Sequence, residues 1–355
     1  MTLNELGYNR GLELYRLEQN LDSFGVGRVI SEHKERYVIR TEQGEFDSEL
    51  IGNLRFTAES RYDFPAVGDW VAFSEYDEDK ALIHAIYPRH SIIERQAVGK
   101  SGQKQIIATN IDFGLIVQAV NRDFNINRLE RYLTICNTSN VIPVIILSKI
   151  DLIEENQLKS YLNQIAERIK DVRVIALSNE SLAGLDELTE IIEKGKTYCL
   201  LGSSGVGKST LLNNLAGKAQ MKTNSISQST DRGKHVTSHR ELFVLRTGAI
   251  LIDNPGMREV GIADSTGGLE ITFDAIVKLS QNCKFKDCKH TNEKGCAILE
   301  SVESGEIDRA SYENFQRLQR ERKHYESSLV EKRKKDKDFG KMVKSVKTQR
   351  KNNKF

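Results

Sequence analysis

The sequence lacks long hydrophobic runs, and no stretch approaches the roughly 20 consecutive apolar residues that a membrane-spanning helix needs. Its polar N-terminus also lacks the apolar core of a secretory signal peptide. These two absences exclude an integral membrane protein and predict a cytoplasmic one. The composition agrees, because 29% of the 355 residues are charged and 39% are hydrophobic, as in soluble proteins, and the length allows two or three domains.

Cysteine is scarce, with five residues, three of which fall between positions 283 and 296. Cys136 and Cys199 lie in apolar stretches, where a free thiol packs as a small hydrophobic group. This distribution excludes a disulfide framework. Internal repeats are missing as well, and the pair Gly25 and Gly27 lacks the third glycine and the helix of a dinucleotide-binding fingerprint.

Charge is unevenly distributed along the chain. The net charge is +2, whereas the segment from Ser311 to the end has fifteen Lys or Arg against six Asp or Glu, a balance of +9. The rest of the chain is therefore net acidic by 7. A segregated basic end predicts a polyanionic partner, and the alternative is a solvated tail without fixed structure.

Residues 25 to 95 show the period-two alternation of short strands separated by turns, after a predicted helix from Leu3 to Leu21. About five strands in roughly 70 residues predict a small closed barrel of the oligonucleotide-binding (OB) kind. A barrel that only packs against its neighbour is the alternative, because no basic stripe stands out.

From about Ile106 the pattern changes to short apolar runs separated by helical stretches, which predicts a parallel sheet covered on both faces. A cysteine-rich segment and a long charged helix pattern follow. We therefore predict a multidomain protein with an OB-fold RNA-binding barrel at 1–95, an α/β domain at 96–262 and an α-helical domain with a basic tail at 263–355.

The stretch GSSGVGKS at residues 202–209 matches the phosphate-binding pattern GxxxxGK[ST] at every fixed position. Its glycines let backbone N–H groups approach phosphates without a Cβ in the way, and the helix that follows presents its positive end to the anion. In this pattern Lys208 reaches the β- and γ-phosphates and Ser209 ligates Mg²⁺. The predicted nucleotide contacts are Gly202, Ser203, Ser204, Gly205, Val206, Gly207, Lys208, Ser209 and Thr210.

A site of this class needs a second acid for the metal, and Asp253 follows the apolar run AILI. Asp253 and Gly256 form the DxxG arrangement of a γ-phosphate sensor. The polar segment between the two motifs contains Thr237, which is placed to add a hydroxyl ligand to Mg²⁺ when the γ-phosphate is present. The alternative for Thr237 is an ordinary loop threonine.

The apolar run VIPVIIL leads into Ser148-Lys149-Ile150-Asp151, which is close to the NKxD element of GTPases. A carboxylate accepts hydrogen bonds from guanine N1–H and N2–H₂, whereas adenine offers an acceptor at N1 and no amino group at C2. This base-reading element precedes the phosphate loop, but both follow strands of one predicted sheet, and ligands bind at the carboxyl ends of such strands. The α/β domain at 96–262 is therefore predicted to be a circularly permuted P-loop GTPase domain.

Cys283, Cys288, His290 and Cys296 fall within fourteen residues. Three thiolates and one imidazole close the tetrahedral shell of Zn²⁺ and leave no position for a substrate. The sequence therefore predicts one structural zinc ion, which stabilises a segment too short to form a core of its own.

The order of these features resembles the ribosome-small-subunit-dependent GTPase A family (RsgA, also called YjeQ) over nearly the whole chain. Residues 202–210 are similar to its phosphate loop, 233–238 to its GRHTTT switch, 253–256 to its DTPG, and the cysteine cluster to its CxxxxCxHxxxxxC.

Three positions depart from the family pattern. Ser148 replaces the usual Asn, so one hydrogen bond toward the guanine N7 edge and the phosphate loop is expected to be lost or shortened. Ile175-Ala176 stands where a Ser-Ala pair supports the guanine O6, and Val236 removes a hydroxyl, which leaves Thr237 as the threonine for Mg²⁺. The first two departures put the strength of guanine selectivity in question.

The resemblance implies GTP hydrolysis stimulated by the small ribosomal subunit, with rRNA contacts and a role in subunit assembly. It also implies that His235 handles the attacking water, because Met257 follows Gly256 where Ras-type enzymes have a Gln. A solvated loop histidine is the alternative. The predicted catalytic set is His235, Lys208 and Thr237, the cofactors are GTP, Mg²⁺ and one Zn²⁺, and the protein is expected to be a monomer. The rival functions are an NTPase of relaxed base choice with another RNA partner and an RNA-binding scaffold.

Overall fold

The computed structural model describes residues 1–33, 36–96, 104–121, 124–217, 241–253 and 267–323. Among the predicted site residues, His235, Thr237 and Gly256 lie outside this described part, as does the side chain of Asp253. The basic tail beyond residue 323 lies outside it as well. The three domain boundaries given above stay predictions.

Five short strands form the N-terminal barrel because their alternate side chains face inward, as in the buried–exposed alternation of the third strand. The strands are β1 Gly25–His33, β2 Arg36–Arg40, β3 Glu45–Leu50, β4 Trp70–Asp77 and β5 Lys80–Ile86, with helix α2 Gly52–Thr57 after β3. Their order is β1-β2-β3-β5-β4, and β4 pairs back with β1. Only the β3–β5 pair is parallel. The predicted OB-type barrel is confirmed.

The N-terminal lead-in differs from the predicted helix. A short 3₁₀ turn, Asn4–Leu6, is followed by helix α1, Arg10–Glu18. Gly7 separates them because its φ of 89° lies in the left-handed region that ends a helix. Asn9 starts the second helix, since its side chain accepts the N–H groups of Gly11 and Leu12.

The central domain contributes six strands to a sheet that continues into the barrel through β1, and a hairpin of β6 Ile92–Gln96 and β7 Lys104–Thr109 precedes them. Its elements are β8 Phe113–Ala119, α3 Ile126–Thr138, β9 Ile142–Ser148, α4 Glu155–Arg168, β10 Arg173–Leu177, α5 Leu185–Glu190, β11 Thr197–Leu201, α6 Lys208–Ala216, β12 Glu241–Val244 and β13 Ile250–Asp253. The order is β10-β9-β8-β11-β13-β12, and only β12 runs antiparallel. Helices α3 and α4 cover one face and α5 and α6 the other, which explains why the central strands are apolar throughout.

Arg28 joins the barrel to the central domain. Its side chain is 1% exposed and donates to the Leu6 carbonyl (2.6 Å), the Gly68 carbonyl (3.2 Å), the Asn110 carbonyl (3.1 Å) and the Thr197 hydroxyl (2.9 Å). Burial lowers the pKa of the guanidinium to about 10, so the group is still charged at neutral pH. One buried cation therefore ties four separate segments together.

The C-terminal unit consists of four helices around the cysteine cluster. They are α7 Gly268–Thr272, α8 Asp274–Ser280, α9 Ala297–Glu303 and α10, residues 309–323. Its core contains Leu269, Phe273, Ile276, Ile298, Phe315 and Leu318. Among the described helices, none is long and apolar enough to cross a membrane.

Candidate nucleotide site and zinc centre

The phosphate loop, residues 202–207, connects the fully buried strand β11 to helix α6, as predicted. Gly202, Gly205 and Gly207 have φ values of 144°, 81° and 95°, which other residues rarely adopt. A Cβ on Gly202 would lie 2.3 Å from the carbonyl oxygen of Val117. The backbone conformation therefore favours glycine at all three positions, and at Gly202 the lack of space requires it as well.

The carbonyl groups of this loop are held by side chains. Lys208 Nζ donates to the carbonyls of Gly202 (2.8 Å) and Ser203 (2.6 Å). Lys149 Nζ donates to the carbonyl of Gly205 (2.7 Å), Ser148 Oγ to that of Val206 (2.7 Å) and Asn179 Nδ2 to that of Gly207 (3.1 Å). In a glycine-rich loop that leads into a helix, backbone N–H groups are available to a bound anion. This arrangement fits an anionic group such as a nucleotide phosphate.

Ser148 ends strand β9 and is fully buried. Its replacement of the usual Asn was expected to lose or shorten a hydrogen bond toward the phosphate loop. The structure corrects this expectation for the loop, because the Ser148 hydroxyl reaches the Val206 carbonyl at 2.7 Å. Lys149 follows with a left-handed φ of 64°, and its ammonium group reaches the same loop. The base-reading element and the phosphate loop are therefore in direct contact.

Asp151 lies in the short turn after β9, and its Oδ1 accepts a hydrogen bond from the Ser178 hydroxyl. Ser178 is fully buried, and its oxygen also accepts the N–H groups of Glu180 and Ser181, each at 3.2 Å. This network fixes the orientation of a carboxylate that has room for two further donors on its oxygens. Guanine N1–H and N2–H₂ are donors of this kind.

The assignment of Ile175-Ala176 to the guanine O6 position is wrong. Ile175 is fully buried in the middle of β10, where it packs in the core that faces α5 and α6. The polar residues that follow the strand end, Ser178 and Asn179, take the place beside Asp151 and the phosphate loop. Sequence reasoning missed both residues. The signal was available, because polar residues directly after an apolar strand are candidates for the site, as Ser148 is.

Asn179 connects three parts of the site. Its side chain donates to the Gly207 carbonyl, and Asn214 of α6 donates to the Asn179 carbonyl at 3.1 Å. A Cβ on Gly207 would lie 2.8 Å from the Asn179 amide nitrogen. Asn179 thereby joins the base-reading side of the pocket to the end of the phosphate loop and to the C-terminal half of α6.

Two predicted magnesium ligands lie at adjacent strand ends. Ser209 is in the first turn of α6, directly after the phosphate loop, and Thr210 follows it. Asp253 is the last residue of β13, which pairs with β11 through Cys199 and Ile252. Parallel neighbours place their carboxyl ends at the same edge of a sheet, so the backbone supports this pairing of Ser209 with Asp253.

The four predicted zinc ligands converge. The ligand atoms of Cys283, Cys288, His290 and Cys296 all lie within 4.8 Å of one another. The two sulfur atoms of Cys283 and Cys296 are 3.9 Å apart, and His290 Nδ1 is 3.5 Å from each. Zn–S and Zn–N bonds of tetrahedral zinc predict separations of about 3.8 Å and about 3.6 Å for such pairs. The positions of Cys283, Cys296 and His290 therefore match a tetrahedral zinc site, and Cys288 is close enough to supply the fourth ligand.

Nearby contacts hold the zinc-binding loop in place. The carboxylate of Glu293 accepts the N–H groups of Lys289 (2.9 Å), Thr291 (2.8 Å) and Asn292 (3.1 Å), and these bonds lower its pKa to about 2. Burial lowers the pKa of His290, which keeps the imidazole neutral, and raises the pKa of the Cys296 thiol to about 11. Because zinc takes thiolates, its binding must release protons.

Comparison with known proteins agrees with this geometry. The family model for the RsgA GTPase matches residues 86–263, just over half of the chain. The chain belongs to the RsgA GTPase family. A model for ABC transporters also matches, at residues 185–350, a range that contains the phosphate loop shared by P-loop ATPases.

Individual members of the RsgA family align over most of the chain. The small ribosomal subunit biogenesis GTPase RsgA 2 of Lactiplantibacillus plantarum is 44% identical over 83% of each chain. RsgA 1 of Bacteroides thetaiotaomicron is 36% identical over 97% of this chain and 99% of its own. The crystal structure of YloQ, a circularly permuted GTPase, superposes with a TM-score of 0.61 at 24% identity and covers 85% of this chain and 96% of its own.

Membership of the RsgA family makes this protein a GTPase, with GTP and Mg²⁺ as cofactors and a cysteine–histidine cluster suited to one zinc ion. The predicted fold class is confirmed: a barrel, a circularly permuted P-loop GTPase domain and a C-terminal helical unit with the zinc cluster. The individual residue roles stay predictions.

Proposed function

We propose that this protein binds the small ribosomal subunit during its assembly and hydrolyses GTP in that complex. The observation that carries the proposal is the direct contact between the base-reading residues and the phosphate loop, in a chain whose relatives are named small ribosomal subunit biogenesis GTPases. The contact joins a guanine reader to a triphosphate cradle. The names of the relatives point to the small ribosomal subunit as the partner.

In the proposed site, the Asp151 carboxylate accepts the guanine N1–H and N2–H₂ donors. Lys208 leaves the carbonyls of Gly202 and Ser203, to which it is now hydrogen bonded, and reaches the terminal phosphates. Ser209 and Asp253 hold Mg²⁺, which stabilises charge on the transferring phosphoryl group. Thr237 completes the metal shell, Gly256 senses the γ-phosphate and His235 orients the water.

Binding to the subunit involves the barrel and the C-terminal unit, whose segment from Ser311 to the end has a charge balance of +9. Because Lys and Arg contacts to RNA phosphates release counterions, the affinity for the subunit falls steeply with salt concentration. The protein acts in the cytoplasm as a monomer. Subunit contacts complete an active site whose intrinsic turnover is slow, since Met257 stands where Ras-type enzymes place a water-orienting Gln.

The decisive experiment measures phosphate release from GTP with and without purified small subunits, and from ATP as the control nucleotide. We expect slow release from GTP alone, a large increase with subunits and no release from ATP. Stimulation by large subunits instead would refute the partner. Tight RNA binding without any stimulation would identify an RNA-binding scaffold, and hydrolysis of ATP at a similar rate would identify an NTPase of relaxed base choice.

A further inference from the structure

Helix α3 is buried nearly all round. A helix that covers one face of a sheet normally leaves its outer side in solvent. In α3 the buried residues are Leu129, Glu130, Tyr132, Leu133, Thr134, Ile135 and Cys136. The inner side packs on the sheet with Ile116 and Ile145, and the outer side is covered by the C-terminal unit. The same helix therefore touches two functional parts of the protein.

On the inner side, Tyr132 reaches the phosphate loop. The side chain is 5% exposed and belongs to the same buried cluster as Leu201, the residue before the loop. Burial raises the pKa of its hydroxyl, and a side-chain hydrogen bond with Ser203 opposes that rise. The carbonyl of Ser203 accepts Lys208 Nζ at 2.6 Å. A shift of α3 therefore acts on the residue that also holds the phosphate-binding lysine.

On the outer side, polar groups fasten α3 to α10. Glu130 is 2% exposed and accepts hydrogen bonds from Asn314 of α10 and from Arg168, the latter at 2.7 Å. Arg131 forms a two-pronged ion pair with Glu321 of α10, at 2.9 and 2.5 Å. A buried carboxylate and a bidentate arginine fix one relative position of the two helices.

Backbone packing adds to these contacts. A Cβ on Gly268, at the start of α7, would lie 2.1 Å from the Thr138 hydroxyl and 2.6 Å from the Thr134 carbonyl of α3. The side chain of Asn137 also donates to the Thr272 hydroxyl of α7 at 3.0 Å. The two helices are in contact with no space for a side chain between them.

At its other side, α10 contacts the zinc-binding loop. The Tyr312 hydroxyl donates to the carbonyl of the zinc ligand His290, and Gln316 Nε2 donates to the same oxygen at 3.4 Å. A continuous series of contacts thus leads from the phosphate loop through α3 and α10 to the zinc cluster.

We propose that α3 couples the position of the C-terminal zinc unit to the phosphate loop, and that Tyr132 is the positioning residue through which the coupling acts. A partner that moves the zinc unit then changes nucleotide affinity, and by thermodynamic reciprocity nucleotide changes how firmly the zinc unit is docked. The proposal rests on the proposed nucleotide site but requires no particular partner.

The test uses the isolated, zinc-loaded, full-length protein and GDP. Tyr132→Phe removes only the hydroxyl, while Arg131→Gln and Gly268→Ala loosen the docking of the zinc unit in two unrelated ways. Arg173→Gln is the matched control, because it breaks the exposed Arg173–Glu187 ion pair (3.6 Å) at the far edge of the sheet. From the usual worth of one neutral hydrogen bond, we expect Tyr132→Phe to weaken GDP binding about threefold to tenfold.

Two readouts distinguish coupling from a merely structural role. We expect Arg131→Gln and Gly268→Ala to weaken GDP binding in the wild-type background and to have no further effect in Tyr132→Phe. We also expect GDP to slow hydrogen exchange in residues 309–323 of the wild type and of Arg173→Gln, but not of Tyr132→Phe. Additive losses of affinity, or exchange that GDP does not change in the wild type, would overturn the coupling. A wild-type protein that fails to bind GDP would overturn the nucleotide site itself.

Discussion

Replacement of Arg28 by methionine should destabilise the junction between the barrel and the GTPase domain. The Gly68 carbonyl keeps a second donor, Asn110 Nδ2 at 3.1 Å, but the carbonyls of Leu6 and Asn110 and the hydroxyl of Thr197 lose the guanidinium. At about 1 to 1.5 kcal/mol for each buried acceptor left without its partner, the loss is about 3 to 4 kcal/mol.

Trp70 offers a direct assay, because it is the one tryptophan of the chain and its ring centroid lies 5.4 Å from the Arg28 guanidinium carbon. In urea unfolding followed by its fluorescence, a loss of this size lowers the midpoint by about 1 to 3 M. Arg61→Met is the control, since it removes an exposed ion pair with Glu32 worth at most about 1 kcal/mol. An Arg28→Met midpoint equal to that of the control would refute the reasoning.

Three further predictions concern the two sites. Asn179→Ala removes the hydrogen bond to the Gly207 carbonyl and should weaken GDP binding about threefold to tenfold in a fluorescence titration. Glu180→Ala, at the exposed neighbouring residue, should leave the affinity for GDP unchanged. Equal affinities of the two variants would contradict this prediction. Chelation of zinc should unfold the C-terminal unit, which circular dichroism would detect as a loss of helix. Adding zinc back should release protons into a weakly buffered solution. A spectrum unchanged by chelation would exclude a structural ion. His235→Ala should lower subunit-stimulated phosphate release and leave GDP affinity nearly unchanged, and a large loss of affinity would rule out the assignment of His235 to water.

Sequence reasoning found the features whose residues lie close together in the chain. The phosphate loop and the cysteine cluster each occupy a single short stretch, so their spacing alone predicts the chemistry. The barrel was predictable because alternation of buried and exposed side chains is repeated in each strand. The prediction of a permuted domain depended on a further rule, that the carboxyl ends of parallel strands meet at one edge of the sheet.

The errors arose where the structure depends on the exact end of a helix or strand, or on a contact between residues far apart in the chain. The helix expected from Leu3 to Leu21 is interrupted because Gly7 and Asn9 stop one turn and start another, and periodicity alone does not weigh such signals. Ile175 was placed at the base by resemblance to the family's Ser-Ala pair, and the residue lies inside β10 rather than after its end. The contact of Tyr132 with Ser203 joins positions far apart in the chain, and only the assembled sheet brings them together.

The order of the strands has a consequence for synthesis of the protein. Strands β8, β9 and β10 form one half of the central sheet and leave the ribosome before β11, which pairs with β8. Until β11 emerges, the nascent polypeptide presents the open hydrogen-bonding edge of an apolar strand, which is a site for aggregation. Guanine nucleotide cannot stabilise the domain by binding at that stage, because the phosphate loop follows β11 in the chain. Synthesis of β11 therefore both closes this edge and brings the phosphate loop into place.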